Sequence, residues 1–264
     1  MNKVLFILVI SILATVSSGY VLADQQSHVL NDFIQSEDLD KKEEAYRIII
    51  SHPHEYSDAI YDELHKYTDE EITPQIPDEL IYLTTAVRDK KYLEPLTTFI
   101  QSRQYSENSC IYDCPIVFSL ALYECFSEST PIDGLDVNLT AVSDLRSDIK
   151  YVREKYFLKD TPLYINHKRM KEIVKETEQL SVEQLIEQAN PSNTYYRESY
   201  YYRYAAAHRL SNTIHDDQHL NDLYWLAITE AMDASAQYRS AIYKAIMRAE
   251  YARYKDRYFR DKVH

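Results

Sequence analysis

Glycine is almost absent from this sequence: its 264 residues contain two, Gly19 and Gly134. Tight hairpin turns place residues at positive φ, which glycine adopts without a steric penalty. A fold built from many hairpins is therefore improbable. Leu, Ala, Glu, Lys, Gln and Arg are plentiful, and apolar residues recur every three or four positions instead of every second one. The sequence predicts an all-α protein.

The spacing of the apolar residues also locates the helices. It predicts antiparallel helix pairs, stacked either as a short α-solenoid or as an irregular helical bundle. The predicted helices cover residues 26–35, 40–51, 56–68, 77–88, 90–102, 114–127, 138–158, 164–178, 181–189, 193–211, 216–233 and 235–260.

The N-terminal segment has the layout of a secretory signal peptide. Lys3 supplies a positive charge, Val4 to Val16 form a 13-residue run without a charge, and the small residue Ala23 ends the segment. We predict a signal peptide over residues 1–23 that is cleaved after Ala23. The alternative is an uncleaved anchor helix, but the apolar run is short for a bilayer. We expect a mature chain, residues 24–264, that is secreted or periplasmic and has no stable membrane insertion.

Export places the three cysteines in an oxidising compartment. Cys110 and Cys114 are close enough to bridge across a turn, after which Pro115 leads into a helix. Cys125 lies further along that helix, about 16 Å from Cys114 at ~1.5 Å per residue. We therefore predict a Cys110–Cys114 disulfide and a buried Cys125 thiol. The C-x3-C spacing and the lack of a nearby histidine disfavour a redox pair and a zinc site.

Charge divides the mature chain into two halves. Residues 24–134 contain 23 acids and 8 bases, whereas residues 135–264 contain 19 acids and 20 bases. The segment 129–138 between them includes Gly134 and a proline, so it is the predicted boundary. We predict an acidic helical-repeat domain over residues 24–134 and a tyrosine-rich helical domain over residues 135–264.

An internal repeat is visible in the acidic half. "YRIIISHPHEYSDAIYDEL" begins at Tyr46, and "YLTTAVRDKKYLEPLTTFI" begins 36 residues later at Tyr82. Each contains a short helix, a turn and a second helix with apolar residues at i, i+4 and i+8. The segment 27–126 resembles HEAT-like repeats, in which stacked helix pairs bury a shared core. The alternative is an ordinary helical bundle, and residues 139–264 resemble no specific family. The offset aligns Tyr56 with Tyr92, Asp58 with Glu94, Ile60 with Leu96 and Leu64 with Ile100.

The resemblance to HEAT-like repeats implies a surface that binds another protein, as an adaptor or an inhibitor, without catalysis. The acidic balance favours a basic protein partner, because an extended field raises the rate of encounter with opposite charge. Candidate partner-binding residues are Glu70, Glu71, Asp78 and Glu79. The alternative is that these acids cap and solubilise helices.

The second half is rich in tyrosine, with six in residues 195–204. We interpret them as packing between helices, with an aromatic binding surface as the alternative. The last helix alternates basic and aromatic residues, a pattern also found in proteins that bind nucleic acids. Because the mature chain is acidic and expected to be exported, we expect no nucleic acid. Docking of this helix against the acidic half explains the same residues.

The stretch "HDDQHLND", residues 215–222, is the strongest candidate for a metal site. On one helix, His215, His219 and Asp222 would form a row that could ligate zinc or another divalent ion. The alternative function is therefore a metal-dependent hydrolase, with Asp216 or Asp217 as the general base. The two aspartates also suit an ordinary helix N-terminus. The sequence has no G-x-S-x-G elbow and no Gly-rich phosphate loop, so we assign no catalytic residues and no organic cofactor.

Overall fold

A computed structural model describes residues 25–68, 76–102, 115–126, 168–190, 197–230 and 236–260. Within these ranges the regular structure is entirely helical, so the all-α prediction is confirmed. No described helix is both long enough and apolar enough to cross a membrane. The predicted signal peptide, the boundary segment 129–138 and the predicted helix 138–158 lie outside the described residues.

The helices are numbered in chain order. Short 3-10 helices at Lys90–Tyr92 and Thr177–Gln179 precede α5 and follow α7, respectively. The α-helices are α1 (25–35), α2 (Leu39–Ser51), α3 (Pro53–His65), α4 (Asp78–Val87), α5 (Leu93–Ser102), α6 (Pro115–Phe126), α7 (Lys168–Glu176), α8 (Val182–Ala189), α9 (Arg197–Thr213), α10 (Leu220–Glu230) and α11 (Ala236–Arg260).

Local capping explains several helix ends. The Asp38 carboxylate accepts from the backbone N–H of Asp40 at 3.0 Å and so caps α2. A reciprocal capping box opens α8, in which Ser181 accepts from the Gln184 N–H at 3.3 Å and the Gln184 side chain accepts from the Ser181 N–H at 2.9 Å. The helix predicted from residue 56 begins at Pro53, because proline suits the first helical position. The connection between the helices predicted at 40–51 and 56–68 is correspondingly shorter.

The two halves of the chain contribute to one hydrophobic core. Helix α10 contacts α2 and α4 from the acidic half as well as α8 and α11, and α6 contacts both α4 and α11. Buried side chains from both halves form a single cluster. The Tyr46 hydroxyl donates to the Asn221 carbonyl at 2.9 Å, which joins α2 to α10. The division at residue 134 stays a prediction, but the helices on its two sides pack against each other.

Positions aligned by the 36-residue offset have matching environments. Tyr46 and Tyr82 are buried in α2 and α4, and the aligned apolar residues that follow each of them are buried as well. The aligned acids are both exposed. The matched positions are Tyr56 and Tyr92, Ile60 and Leu96, which are buried, and Asp58 and Glu94, which are exposed. The HEAT-like resemblance itself stays a prediction.

Candidate functional site

The "HDDQHLND" stretch does not form one helical row. The Asp216 carboxylate accepts from the Gln218 N–H at 3.1 Å, and α10 begins at Leu220, four residues later than predicted. Residues 216–219 form a bend and a turn that precede the helix. His215 is exposed and lies outside the helix, so its four-residue spacing from His219 does not put the two side chains on one face.

His219 lies between two carboxylates. Its Nδ1 is 3.5 Å from Asp222 Oδ2, and its Nε2 is 3.5 Å from Glu183 Oε1 on α8. The other oxygen of Asp222 is 2.7 Å from the Arg47 guanidinium on α2. These groups therefore form a row of neighbouring polar side chains from α2 through the start of α10 to α8.

This arrangement does not direct His219, Asp222 and Glu183 toward a common point. The two carboxylates lie beside different ring nitrogens of His219, whereas a metal ion would need its ligands to converge. The Arg47 cation also repels a metal ion near Asp222. Among the described residues, no group of three or more His, Cys, Asp or Glu side chains is placed to hold a metal ion. The metal site at His215, His219 and Asp222 stays a prediction without geometric support.

The acids predicted to bind a partner have different surroundings. Glu70 and Glu71 lie outside the described residues. Glu79 accepts a hydrogen bond from Lys42 Nζ at 3.2 Å, and both side chains are mostly buried. The pKa of Asp78 is raised, first by burial and then by the charge of Glu79. The Arg239 charge on α11 partly offsets this increase. The charges of Asp78 and Glu79 therefore act within the protein.

A second set of acids lies on the outer face of α3. Glu55, Asp58 and Asp62 are exposed and fall within one side of the helix; we call them the α3 acidic row. The opposite side of α3 is anchored in the core by Tyr56, Ile60 and Leu64. Lys91 pairs with Asp58, while Glu55 and Asp62 form no ion pair with another described residue. The buried apolar side and the exposed charged side of α3 form an ordinary amphipathic pattern.

Cys110 and Cys114 lie outside the described residues, so the predicted disulfide stays a prediction, as does the buried thiol of Cys125. The helix predicted to follow them is present, and Pro115 is its first residue.

The sequence reasoning missed a polar network between the two halves. Arg88 follows α4 with a left-handed backbone, φ 55°, and Nη1 donates to Glu250 Oε2 of α11 at 2.9 Å. Its Nη2 donates to the Tyr224 hydroxyl of α10 at 2.8 Å and also to Glu250 Oε1. The Tyr224 hydroxyl in turn donates to Glu250 Oε1 at 2.7 Å. The network joins α4, α10 and α11. Burial is the largest cause that raises the pKa of Tyr224, and the charge of Glu250 is the next.

Several tyrosines of the second half are buried, and one of them, Tyr204, belongs to the six in residues 195–204 that were predicted to pack between helices. Tyr201 and Tyr202 are partly buried. Tyr204, Tyr224, Tyr238 and Tyr243 are each at most 2% exposed. The Tyr243 hydroxyl lies 2.6 Å from that of Tyr82, so it links α11 to α4 through a buried hydrogen bond.

In two ion pairs that join the halves, the acidic half supplies the base and the second half supplies the acid. Arg47 and Arg88 belong to the acidic half, and each pairs with an acid of the second half, Asp222 and Glu250. Lys244, one of the basic residues of the last helix, is 5% exposed. The halves are therefore joined by specific ion pairs, of which Arg88–Glu250 is mostly buried and Arg47–Asp222 is partly exposed.

Comparisons of the chain with protein-family models, with curated proteins and with solved structures gave no match.

Proposed function

We propose that this protein is an exported helical scaffold that binds a basic protein partner, as an adaptor or an inhibitor, and that the α3 acidic row is part of the binding surface. The observation that carries the proposal is the exposure of Glu55, Asp58 and Asp62 along one side of an anchored helix. These residues take the place of Asp78 and Glu79, whose charges act within the protein.

Anchoring matters because it fixes the spacing of the charges. Tyr56, Ile60 and Leu64 are at most 5% exposed, so α3 cannot rotate without exposing them. A fixed row of carboxylates supports selective pairing with a basic surface, while exposed single pairs contribute little affinity. Residues 24–134 contain 23 acids and 8 bases. This excess of negative charge produces an electrostatic field that extends beyond contact distance and favours fast association with a basic partner.

The test is affinity capture from the exported fraction of the native source, with the mature chain as bait. A captured protein is then identified, purified and titrated against three forms of the bait at two salt concentrations. These forms are the wild type, a Glu55→Lys, Asp62→Lys variant and a control. We expect affinity to fall about tenfold or more in the α3 variant, and to fall with salt for the wild type.

The control must change the net charge equally without touching α3. Glu178→Lys with Asp217→Lys meets this requirement, because both acids are exposed and lie in the second half. We expect the control variant to bind within about twofold of the wild type, apart from the small effect of net charge. An equal loss in both variants, or binding that does not respond to salt, would contradict the proposed surface.

A further inference from the structure

A histidine in the second half has an environment that disfavours its charged form. His208 lies on α9, which packs against α7, α8 and α11. Its Nδ1 atom is buried and has no hydrogen-bond partner. Its ring and that of Tyr204 form a T-shaped pair, with ring centroids 6.4 Å apart and an interplanar angle of 69°. A neutral imidazole that carries its proton on Nε2 leaves only a lone pair at this buried position, whereas an imidazolium would place an N–H there without an acceptor.

The charges that act on His208 are positive. Burial is the first cause that lowers its pKa, followed by Lys244 on α11 and by Arg209 on its own helix. Lys244 is itself 5% exposed, so water screens it weakly. Other charged groups on the packed elements are not among the causes of this shift: Lys171, Glu172, Lys175 and Glu176 on α7, Glu178 in the 3-10 turn, Glu183 and Glu187 on α8, and Arg239, Arg248 and Glu250 on α11.

We infer that His208 is an acid-sensitive element of the α9–α11 interface, where uptake of a proton loosens the packing of the two helices. The proton comes from solvent and adds a positive charge beside Lys244 and Arg209, at a ring nitrogen that has no acceptor. The inference does not depend on the proposed partner-binding function, because it concerns helices of the second half.

The direction of the pH dependence follows from linkage. The unfolded chain binds a proton at His208 near the ordinary value of 6.5, and the folded protein binds it only at lower pH. Stability is therefore complete above about pH 6.5 and falls as the pH drops toward the folded pKa. Each unit between the two pKa values makes the unfolding equilibrium about tenfold more favourable at low pH.

The experiment combines two measurements on the mature chain. A pH titration of the imidazole resonances by NMR should give His208 a pKa below the ordinary value of 6.5. Urea unfolding between about pH 7.5 and 5.5 should show a falling midpoint for the wild type, because this range brackets the ordinary histidine pKa. The fall should be clearly smaller in His208→Gln, which cannot titrate, and unchanged in the control His215→Gln, whose side chain is exposed.

Lys244→Met provides a second route if His208→Gln does not fold. Removal of the Lys244 charge should raise the pKa of His208 toward 6.5 and reduce the loss of stability at low pH. The inference is overturned if His208 titrates at or above 6.5 in the folded wild type. It is also overturned if a folded His208→Gln protein keeps the whole fall in the urea midpoint.

Discussion

Removal of Glu250 should reveal how strongly the buried network holds the two halves together. Glu250 is 1% exposed at its side chain and Arg88 11%, and they share two hydrogen bonds. Glu250→Ala leaves the guanidinium near the core with the Tyr224 hydroxyl and the Thr85 carbonyl as its described partners. Removal of one partner of a buried ion pair typically costs about 3–5 kcal/mol, because the remaining charge loses the carboxylate that balances it. That is a large part of the roughly 5–15 kcal/mol that stabilises a typical domain.

A triple variant separates the cost of an orphaned charge from the worth of the network. Arg88→Met, Tyr224→Phe and Glu250→Leu remove all three polar partners together and leave apolar side chains of similar size. Replacement of a whole buried pair is often neutral or stabilising. We expect the triple variant to be more stable than Glu250→Ala by at least about 2 kcal/mol.

The assay is urea unfolding followed by far-ultraviolet circular dichroism, with the slope compared among variants. Asp58→Ala, which breaks the exposed pair with Lys91, is the control and should leave the free energy of unfolding almost unchanged, since Asp58 is 95% exposed. The reasoning is refuted if Glu250→Ala costs less than about 1 kcal/mol, the range of surface pairs. A triple variant as unstable as Glu250→Ala would refute it equally.

Three smaller effects follow from other contacts. Tyr82→Phe removes the buried hydrogen bond to Tyr243, so urea unfolding should show a loss of about 0.5–1.5 kcal/mol. Ser181→Ala removes the capping box of α8 and should lower stability by about 1 kcal/mol, measured as a fall in Tm. Burial raises the pKa of Asp89, but hydrogen bonds, of which that from Ser57 is the largest, and nearby positive charges bring the pKa below its ordinary value of 3.8. The Asp89 carboxylate therefore stabilises the protein above pH 3.8, and this stabilisation is lost as the pH falls through its lowered pKa. In Ser57→Ala, urea unfolding should show a smaller loss of stability at low pH.

Local sequence patterns predicted most of the helices because their signals lie within a few residues. Pro115 marks the start of α6, and apolar spacing marks the buried side of α3. The start of α10 was misplaced for a physical reason. Asp216 and Asp217 suit a helix N-terminus, but the Asp216 carboxylate caps a turn that precedes the helix. The sequence contains no local sign that this turn does not continue into α10.

The links between the halves could not be predicted from local patterns. Arg88 and Glu250 are 162 residues apart, and each looks like an ordinary surface charge in its own segment. Arg88 also adopts a left-handed backbone that a residue of its type seldom takes, so it gives no turn signal. Knowledge of which helices pack together is needed before their pairing can be inferred.

The central claim is that both halves share one core, which holds α3 and its acidic row on a rigid body. Trp225, the single tryptophan, reports on this core because it is 3% exposed on α10 and stacks on Tyr46 of α2, with ring centroids 5.5 Å apart. The decisive measurement is urea unfolding of residues 24–264, followed in parallel by tryptophan fluorescence and by circular dichroism. We predict one transition, with coincident midpoints for the two signals. Two separated transitions, with the fluorescence changing while most of the helical signal remains, would contradict the claim.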